Sequence, residues 1–284
     1  MKILGIISEY NPFHNGHKYH IEKSKELTGA EAVVAVMSGS FVQRGEPAFA
    51  DKWLRAQAAV MSGADLVIEN PFVYACNSAQ VFADGGVNIL DGLGCIDFLS
   101  FGSEAGSVDA LVKFASETDE FKDRLHSALE QGMTYPKAVS FAYGDNDGIM
   151  TGPNNILGIE YIKALNRIKS DIEPVTVKRS DSGYHSEETA GIFASASKIR
   201  SMAAKGEDFS EFVPYAYKGY IGGLDYFSVM SHIISASSEE LDRLPSAGEG
   251  LGNRIKSQIR KSGSLNSLID NIRGSRYTRS RISR

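Results

Sequence analysis

The sequence Gly5-Ile-Ile-Ser-Glu-Tyr-Asn-Pro-Phe-His-Asn-Gly-His-Lys18 joins an apolar run, residues 3–7, to a polar loop and the start of a helical pattern. An apolar run of this length predicts a short buried strand. The loop carries His14 and His17, with Gly16 between them, into the first turn of the helix. Strand, tight loop and helix N-terminus, in this order, are typical of phosphate sites in α/β proteins. We therefore expect a phosphate-bearing ligand here.

Short runs rich in Val and Ile recur along the first 180 residues and alternate with helical patterns. Their nearly continuous hydrophobicity is typical of strands buried on both faces of a parallel sheet. The predicted strands are residues 2–7, 32–37, 65–69, 96–101 and 172–178, and the predicted helices include residues 16–27, 51–62, 79–90, 121–131, 155–168 and 195–204. This alternation predicts an α/β fold with a Rossmann-like, doubly wound parallel sheet.

Charge is distributed unevenly along the chain. Residues 251–284 contain nine Lys or Arg and one acid, so this segment carries +8 although the whole chain carries −5. We predict a nucleotide-binding domain over residues 1–222 and a helical, basic region over residues 223–284. A basic segment on an acidic body favours a polyanionic partner such as nucleic acid. A solvated helical surface is the alternative.

The composition places limits on the class of protein. The chain is 42% apolar and 23% charged, which is ordinary for a globular protein. No apolar run approaches the roughly 20 residues that cross a bilayer, and no signal-peptide pattern is present. We expect a cytoplasmic protein with no membrane contact, and the sequence indicates no protein partner.

His14, Gly16 and His17 form an H-x-G-H pattern suited to nucleotidyl transfer. Transfer from ATP places negative charge on phosphate oxygens, which the protein must position and stabilise. Two imidazoles at a helix N-terminus can donate hydrogen bonds to those oxygens, and Gly16 lets the ligand approach the backbone. Two ordinary capping histidines are the alternative. A metal site is not indicated, because no HExxH motif or third ligand accompanies the pair.

A second element, Ser195-Ala-Ser-Lys-Ile-Arg200, begins a late helix. Ser197 is predicted to cap this helix, whose first turn would face phosphate, while Lys198 and Arg200 add positive charge. Alone, the pattern indicates only a capped basic helix. Together, H-x-G-H and Ser197-x-x-Arg200 resemble the HIGH-type nucleotidyltransferase superfamily, which includes adenylyltransferases and class I aminoacyl-tRNA synthetases.

Longer strings resemble a narrower family, the bacterial tRNA(Met) cytidine acetate ligases, along the whole chain. They are Gly5 to His17 as quoted above, Met37-Ser-Gly-Ser-Phe-Val-Gln-Arg-Gly-Glu-Pro47, Phe101-Gly-Ser-Glu104, Pro153-Asn-Asn-Ile-Leu-Gly158 and Arg276-Tyr-Thr-Arg-Ser-Arg281. The resemblance implies that acetate attacks the α-phosphate of ATP, with Mg²⁺ expected, and gives acetyl-adenylate. The acetyl group then passes to the wobble cytidine of elongator tRNA(Met) and gives N4-acetylcytidine.

The resemblance also implies site residues. The catalytic residues would be His14, His17, Ser197 and Arg200. ATP would contact Ile7, Ser8, Glu9, Tyr10, Asn11, Pro12, Phe13, His14, Asn15, Gly16, His17, Lys18, Tyr19, His20, Gly102, Asn154 or Asn155, and Arg179. The tRNA would contact Arg276, Arg279 and Arg281. For Lys52 and Arg55, near the same sheet edge, a functional role and a solvated helix face remain alternatives.

Two other functions fit the H-x-G-H pattern: a small-molecule adenylyltransferase of cofactor biosynthesis, and a non-catalytic nucleotide-sensing RNA-binding protein. The basic tail favours tRNA, because an enzyme with small substrates does not need it. Family members continue past the Arg-Tyr-Thr-x-x-Arg element with a further helical region, whereas this chain ends at Arg284. We expect ATP binding to be unaffected by this difference, because its elements all lie upstream.

Overall fold

The five predicted strands form one parallel sheet, so the predicted α/β, doubly wound fold is confirmed. The computed structural model describes residues 1–179, 192–217, 225–245, 247–274 and 276–284. The strands are β1 Ile3–Ser8, β2 Ala32–Ser38, β3 Leu66–Asn70, β4 Phe98–Ser103 and β5 Glu173–Lys178, in the order β3-β2-β1-β4-β5. The order reverses between β1 and β4. Open α/β sheets bind ligands at such a switch point, beyond the carboxyl ends of the strands.

Helices flank the sheet, and the elements that follow β5 in the described chain are also helical. They are α1 Asn15–Thr28, α2 Lys52–Met61, α3 Phe72–Ala75, α4 Ala79–Gly92, α5 Val108–Val112, α6 Asp119–Glu130, α7 Tyr135–Tyr143, α8 Pro153–Ile168, α9 Ala196–Lys205, α10 Tyr226–Ser235, α11 Ser238–Asp242, α12 Leu251–Ile259, α13 Leu265–Ile272 and α14 Arg279–Ser283. Every strand and helix range predicted above agrees with these bounds within two residues. Within the described residues, no helix has both the length and the apolar character needed to traverse a membrane.

Strand β1 lies at the centre of the sheet, between β2 and β4, and both of its faces are buried. Leu4 and Ile6 belong to one apolar core, whereas Ile7 belongs to a second core that includes residues of α4 and α8. Gly5 allows α4 to pack close to the strand, since a Cβ there would lie 2.7 Å from a methyl carbon of Leu90. The close packing fixes the carboxyl end of β1, from which the His14 loop emerges.

The C-terminal helices have an apolar core of their own. Its buried members are Leu251, Ile259, Leu268, Ile272 and Tyr277. Arg284 contacts the first part of the chain, because its Nε donates to the carbonyl of Gln43 at 3.1 Å. The predicted domain boundary at residues 222 and 223 lies outside the described residues, so the division into two domains stays a prediction.

Candidate active site

A cavity of about 610 Å³ opens at the carboxyl ends of β1 and β4. The loop after β1, the N-terminus of α1, Gly102 on β4, Arg179 beyond β5 and the start of α9 surround it. Its volume is in the range of small-molecule sites. The cavity therefore occupies the switch point at which a doubly wound sheet binds its ligand.

His14 and His17 cap α1 reciprocally. Nδ1 of His14 accepts from the backbone N–H of Gly16 at 3.1 Å, and Nδ1 of His17 accepts from the backbone N–H of His14 at 3.3 Å. The two rings stack with their centroids 3.8 Å apart. Because a backbone N–H can only donate, each Nδ1 is unprotonated, and a neutral ring then carries its proton on Nε2. Capping and phosphate binding are therefore compatible, since the cap uses Nδ1 and leaves the Nε2–H donors for a ligand.

Burial keeps the histidines of the cavity neutral. Desolvation, assisted by the positive charge of Arg179, lowers the pKa of His14 to about 3 and that of His20 to about 4. Desolvation and the adjacent His14 ring hold the pKa of His17 well below its usual value. At neutral pH these rings are uncharged hydrogen-bond donors, so the positive charge at the site comes from arginine and lysine.

The loop between β1 and α1 is held in a strained conformation by its aromatic residues. Tyr10 has a φ of 46°, in the left-handed region, which costs an aromatic residue about 1–3 kcal/mol. Its buried ring packs against Phe13 with a centroid separation of 4.7 Å and against His17 at 4.9 Å. This packing fixes the position of the His17 ring relative to the cavity.

Arg55 is an internal support for the same loop. Its side chain is fully buried on α2. The guanidinium donates to the backbone carbonyls of Glu9 at 2.7 Å, Ala50 at 2.9 Å, Ser38 at 3.0 Å, and Gly39. Lys52, one turn earlier, pairs with Glu69 at 2.6 Å near the surface. The structure thus gives Arg55 a structural role, because it ties the segments that follow β1 and β2 together.

Arg179 approaches the cavity across Gly102. A Cβ at position 102 would lie 2.6 Å from Cδ of Arg179, so this approach requires glycine. The backbone N–H of Arg179 donates to the carbonyl of Ser103 at 2.7 Å and continues the pairing of β4 with β5. The main chain therefore places a permanent positive charge beside the histidine pair.

The two asparagines at the start of α8 have different surroundings. Asn154 lines the cavity, and its Nδ2 donates to Glu104 at 2.7 Å. Asn155 is 3% exposed, and its amide binds the N–H of Ala105 and the carbonyl of Ile149, both at 3.0 Å. The structure brings Asn154 to the cavity wall, whereas Asn155 holds the loop after β4.

The start of α9 closes one side of the cavity. Ser195 is the N-cap of this helix, since its Oγ accepts from the N–H of Lys198 at 3.2 Å. The prediction that Ser197 is the cap was wrong, because Ser197 already lies in the first turn, and its exposed side chain contacts Oγ of Ser195 at 3.0 Å. Arg200 reaches into the site, and its Nη1 donates to the carbonyl of Asn11 at 2.7 Å.

The chain is similar in sequence and in fold to proteins of one family. A family profile described as HIGH Nucleotidyl Transferase matches residues 1–284. The tRNA(Met) cytidine acetate ligase of Acetivibrio thermocellus is 41% identical over 315 residues, covering 100% of this chain and 75% of that protein. The enzyme of the same name from Caldicellulosiruptor saccharolyticus is 43% identical over 302 residues, again covering 100% and 75%. The structure of Thermotoga maritima TmcAL bound with alpha-thio ATP is 32% identical, with a TM-score of 0.88, and covers 100% of this chain and 73% of that chain.

This chain belongs to the tRNA(Met) cytidine acetate ligase family of HIGH nucleotidyl transferases.

Most residues that the family resemblance assigns to ATP lie on the cavity wall. They are Ile7, Ser8, Glu9, Tyr10, Asn11, His14, Gly16, His17, His20, Gly102, Asn154 and Arg179, together with Arg200 from the predicted catalytic set. The structure does not bring Pro12, Phe13, Asn15, Lys18, Tyr19, Asn155 or Ser197 to the wall. Phe13 is buried in the core, and the helical repeat turns Lys18 to solvent. Asn15 instead donates to the carbonyls of Ile192 and Glu211, both at 2.9 Å.

Several wall residues were not predicted from the sequence. They are Ile6, Gln43, Phe82, Phe101, Leu157, Tyr161, Phe193, Ala194, Ser195 and Ala196. The apolar members on α4 and α8 have the periodicity of core residues, so only the packing of the helices shows that a cavity lies beside them. Gln43 lies in one of the family strings, and its N–H donates to the Glu9 carboxylate at 2.9 Å. Its place in that string is the sequence feature that could have identified Gln43 as a site residue.

The three arginines that this family resemblance assigns to tRNA have unlike surroundings. Arg279 donates to Asp270 at 3.0 Å and to Asn266 at 2.6 Å, and Arg281 pairs with Glu249 at 3.1 Å. The exposed Arg276 borders an open groove instead. The other residues along the groove are Gly250, Asn253, Arg254, Ser257, Gly274 and Tyr277.

Proposed function

We propose that this chain is an ATP-dependent ligase that activates acetate as acetyl-adenylate. It then transfers the acetyl group to the wobble cytidine of elongator tRNA(Met) and forms N4-acetylcytidine. The observation that carries the proposal is the His14–His17 capping pair, which lines a cavity of about 610 Å³ at the switch point of the sheet and whose cap leaves the Nε2–H donors unused. Membership of the ligase family supports the choice of reaction over other nucleotidyl transfers.

In the first step, a carboxylate oxygen of acetate bonds to the α-phosphorus of ATP. The bond from that phosphorus to the α,β-bridging oxygen breaks, and pyrophosphate leaves with the electron pair. The neutral rings of His14 and His17 donate to the phosphate oxygens on which charge accumulates, while Arg179 and Arg200 supply positive charge. No proton transfer is needed in this step, which agrees with histidines that burial holds neutral.

In the second step, the exocyclic amine of cytidine attacks the acetyl carbonyl of acetyl-adenylate. The new carbon–nitrogen bond replaces the carbon–oxygen bond to AMP, AMP leaves, and the amine proton passes to solvent. Neither step requires a covalent enzyme nucleophile. The chain's part is to hold the adenylate and exclude water until the amine arrives.

Mg²⁺ is expected with ATP. Among the described residues, no group of three or more His, Cys, Asp or Glu side chains could hold a metal ion. This donor set fits an ion that is bound mainly by the substrate phosphates and water, as Mg²⁺ often is. When bound, the ion neutralises phosphate charge.

We propose that tRNA phosphates bind along the basic C-terminal region, with Arg276, Arg279 and Arg281 as its contacts. Arg276 has the most direct support, because it is exposed at the rim of the groove on α12. Arg279 and Arg281 are already paired with acidic or amide side chains, so they also shape this surface. Since its substrate is a tRNA, we expect the protein to act in the cytoplasm.

The proposal is tested by incubating the protein with ATP, labelled acetate and elongator tRNA(Met). We expect pyrophosphate release that depends on acetate, and acetylcytidine in the tRNA. Release that depends instead on pantetheine phosphate or nicotinamide mononucleotide would favour a small-molecule adenylyltransferase. ATP binding without cleavage by any carboxylate would favour a nucleotide sensor, and either result would overturn the ligase.

A further inference from the structure

One end of the cavity is apolar. Its wall is formed by Ile7 at the end of β1, Phe82 on α4, Phe101 on β4, and Leu157 and Tyr161 on α8. All five side chains are part of, or pack against, the core between the sheet and these two helices. The polar wall with the histidine pair and Arg179 therefore continues into a pocket that suits an apolar group.

Close packing behind this pocket makes its wall rigid. A Cβ at Gly86 of α4 would lie 2.7 Å from a carbon of Ile7, and a Cβ at Gly158 of α8 would lie 2.5 Å from a ring carbon of Phe101. Both side chains are thus pressed against helix backbone and have no space into which to withdraw. A rigid wall discriminates between ligands that differ by one methylene more strongly than a wall that can relax.

Tyr161 gives this apolar end a hydrogen-bonding group. Its side chain is 4% exposed, and its ring lies 5.7 Å from that of Phe101, centroid to centroid. Within the described part of the chain, the hydroxyl has no hydrogen-bond partner. Because Tyr161 lines the cavity, its hydroxyl is available to donate to an acceptor on a ligand.

The charges around the pocket suit an anionic ligand. Lys198 and Arg200 line the same cavity. Glu9 is the acidic neighbour, and burial raises the pKa of its carboxyl group, which favours the neutral form. The nearby positive charges of Arg200 and Arg44 also offset the charge of Glu9.

We infer that this apolar end is the subsite for the carboxylate substrate, with the Tyr161 hydroxyl donating to the carboxylate of acetate and with Phe82 and Leu157 against its methyl group. The inference rests on the proposed function and names the residues that restrict its acid substrate to a short chain. Tyr161 and Leu157 are thus specificity residues for the first step.

The test uses Tyr161→Phe, which removes one oxygen and keeps the ring. Acetate-dependent exchange of pyrophosphate into ATP gives the KM for acetate, and calorimetry gives the Kd for ATP. We expect the KM for acetate to rise about tenfold or more, since a hydrogen bond to a charged group is lost, while the Kd for ATP changes less than twofold. Tyr143→Phe is the matched control, because Tyr143 borders the same core but does not line the cavity.

A second variant, Leu157→Ala, tests the size limit without touching the hydroxyl. We expect kcat/KM for propionate relative to acetate to rise about tenfold, because one methylene in a tight pocket is worth a factor of about 10–200. Thermal melting of each variant checks that the fold is intact.

The results of these experiments distinguish a failure of the proposed acetate subsite from a failure of the proposed function. If the parent chain exchanges pyrophosphate with acetate and Tyr161→Phe leaves the KM for acetate unchanged, the subsite is overturned alone. A weaker affinity for ATP with unchanged acetate KM would make the apolar end the adenine site and would also overturn it. If the parent chain shows no exchange with any acid, the proposed function fails, and the subsite fails with it.

Discussion

We propose phosphate binding both in the nucleotide cavity and along the C-terminal groove, but the two regions differ in how their donors are held. In the cavity, His14 is buried and His17 half-buried, and both rings are neutral and fixed by backbone N–H groups. In the C-terminal region, Arg276 is exposed at the rim of an open groove. A small ligand with a reacting phosphate needs donors in a fixed geometry, whereas a long polyanion responds to the sum of solvated charges.

The cations of the two regions show the same contrast. Arg55, near the cavity, is fully buried and bonded to main-chain carbonyls. Arg279, near the groove, is exposed and pairs with side chains. Removing a buried cation leaves several acceptors unsatisfied, while removing an exposed one lets water replace it. The predictions below test this difference.

The largest effect is expected for His17→Ala. Loss of one preorganised donor to the reacting phosphate should reduce acetate-dependent pyrophosphate exchange about 10²–10³-fold, while tRNA affinity stays the same. His126→Ala is the control, because His126 is an exposed residue of α6 that pairs with Glu130. Unchanged exchange in a folded His17→Ala protein would contradict a role for His17 on the phosphates.

Arg55→Ala should destabilise the folded protein, because Arg55 holds the loops beside the cavity. Its loss leaves buried carbonyls of the loops after β1 and β2 without a donor, so we expect the free energy of unfolding to fall by at least about 3 kcal/mol. Lys52→Ala, on the same helix, removes only a partly exposed pair with Glu69 and should cost less than about 1 kcal/mol. Urea titration measures both, and equal losses would refute the structural role of Arg55.

Acidification should destabilise the protein through the cavity histidines. Their pKa values in the folded chain, about 3 for His14, about 4 for His20 and lowered for His17, lie below the unfolded value near 6.5. Above pH 6.5 both states are neutral; below it the unfolded chain binds protons that the folded chain does not. Stability should therefore fall as pH drops from 6.5 towards 4, by up to about 1.4 kcal/mol per pH unit for each histidine.

Urea titrations at a series of pH values measure this slope. The slope should be smaller in His17→Ala and unchanged in His126→Ala. An equal slope in all three proteins would show that other groups cause the acid sensitivity.

The smallest effect is expected at the groove. Arg276→Ala should weaken tRNA binding several-fold and reduce the salt dependence of the affinity by about one phosphate contact. Arg279→Ala should change the affinity less, because Arg279 is already held by Asp270 and Asn266. Filter binding over a range of salt concentrations measures both variants. A larger loss for Arg279→Ala would reverse the assignment of the contact.

Local patterns of residues were enough to predict the elements of the sheet and the place of the site. Apolar runs of the first strand's type have few alternatives to a buried parallel strand, and H-x-G-H follows the strand directly, so local pattern located His14 and His17. The family resemblance added Gly102 and Arg179, and the Ser197-x-x-Arg200 element added Arg200; all three lie on the cavity wall. The strands and these site residues could be predicted because they depend on residues adjacent in the chain or on short motifs, both of which can be read from the sequence.

Tertiary structure alone decided which of two similar residues meets the cavity. Asn154 and Asn155 are adjacent in sequence, but only Asn154 lines it, because the turn of α8 directs Asn155 into the loop after β4. Tyr161 has the helical spacing of a core residue, and only the packing of α8 against α4 and the sheet places its side chain on the wall of the cavity. Such distinctions arise from contacts between distant segments, and the identity of a residue does not encode which segment it will meet.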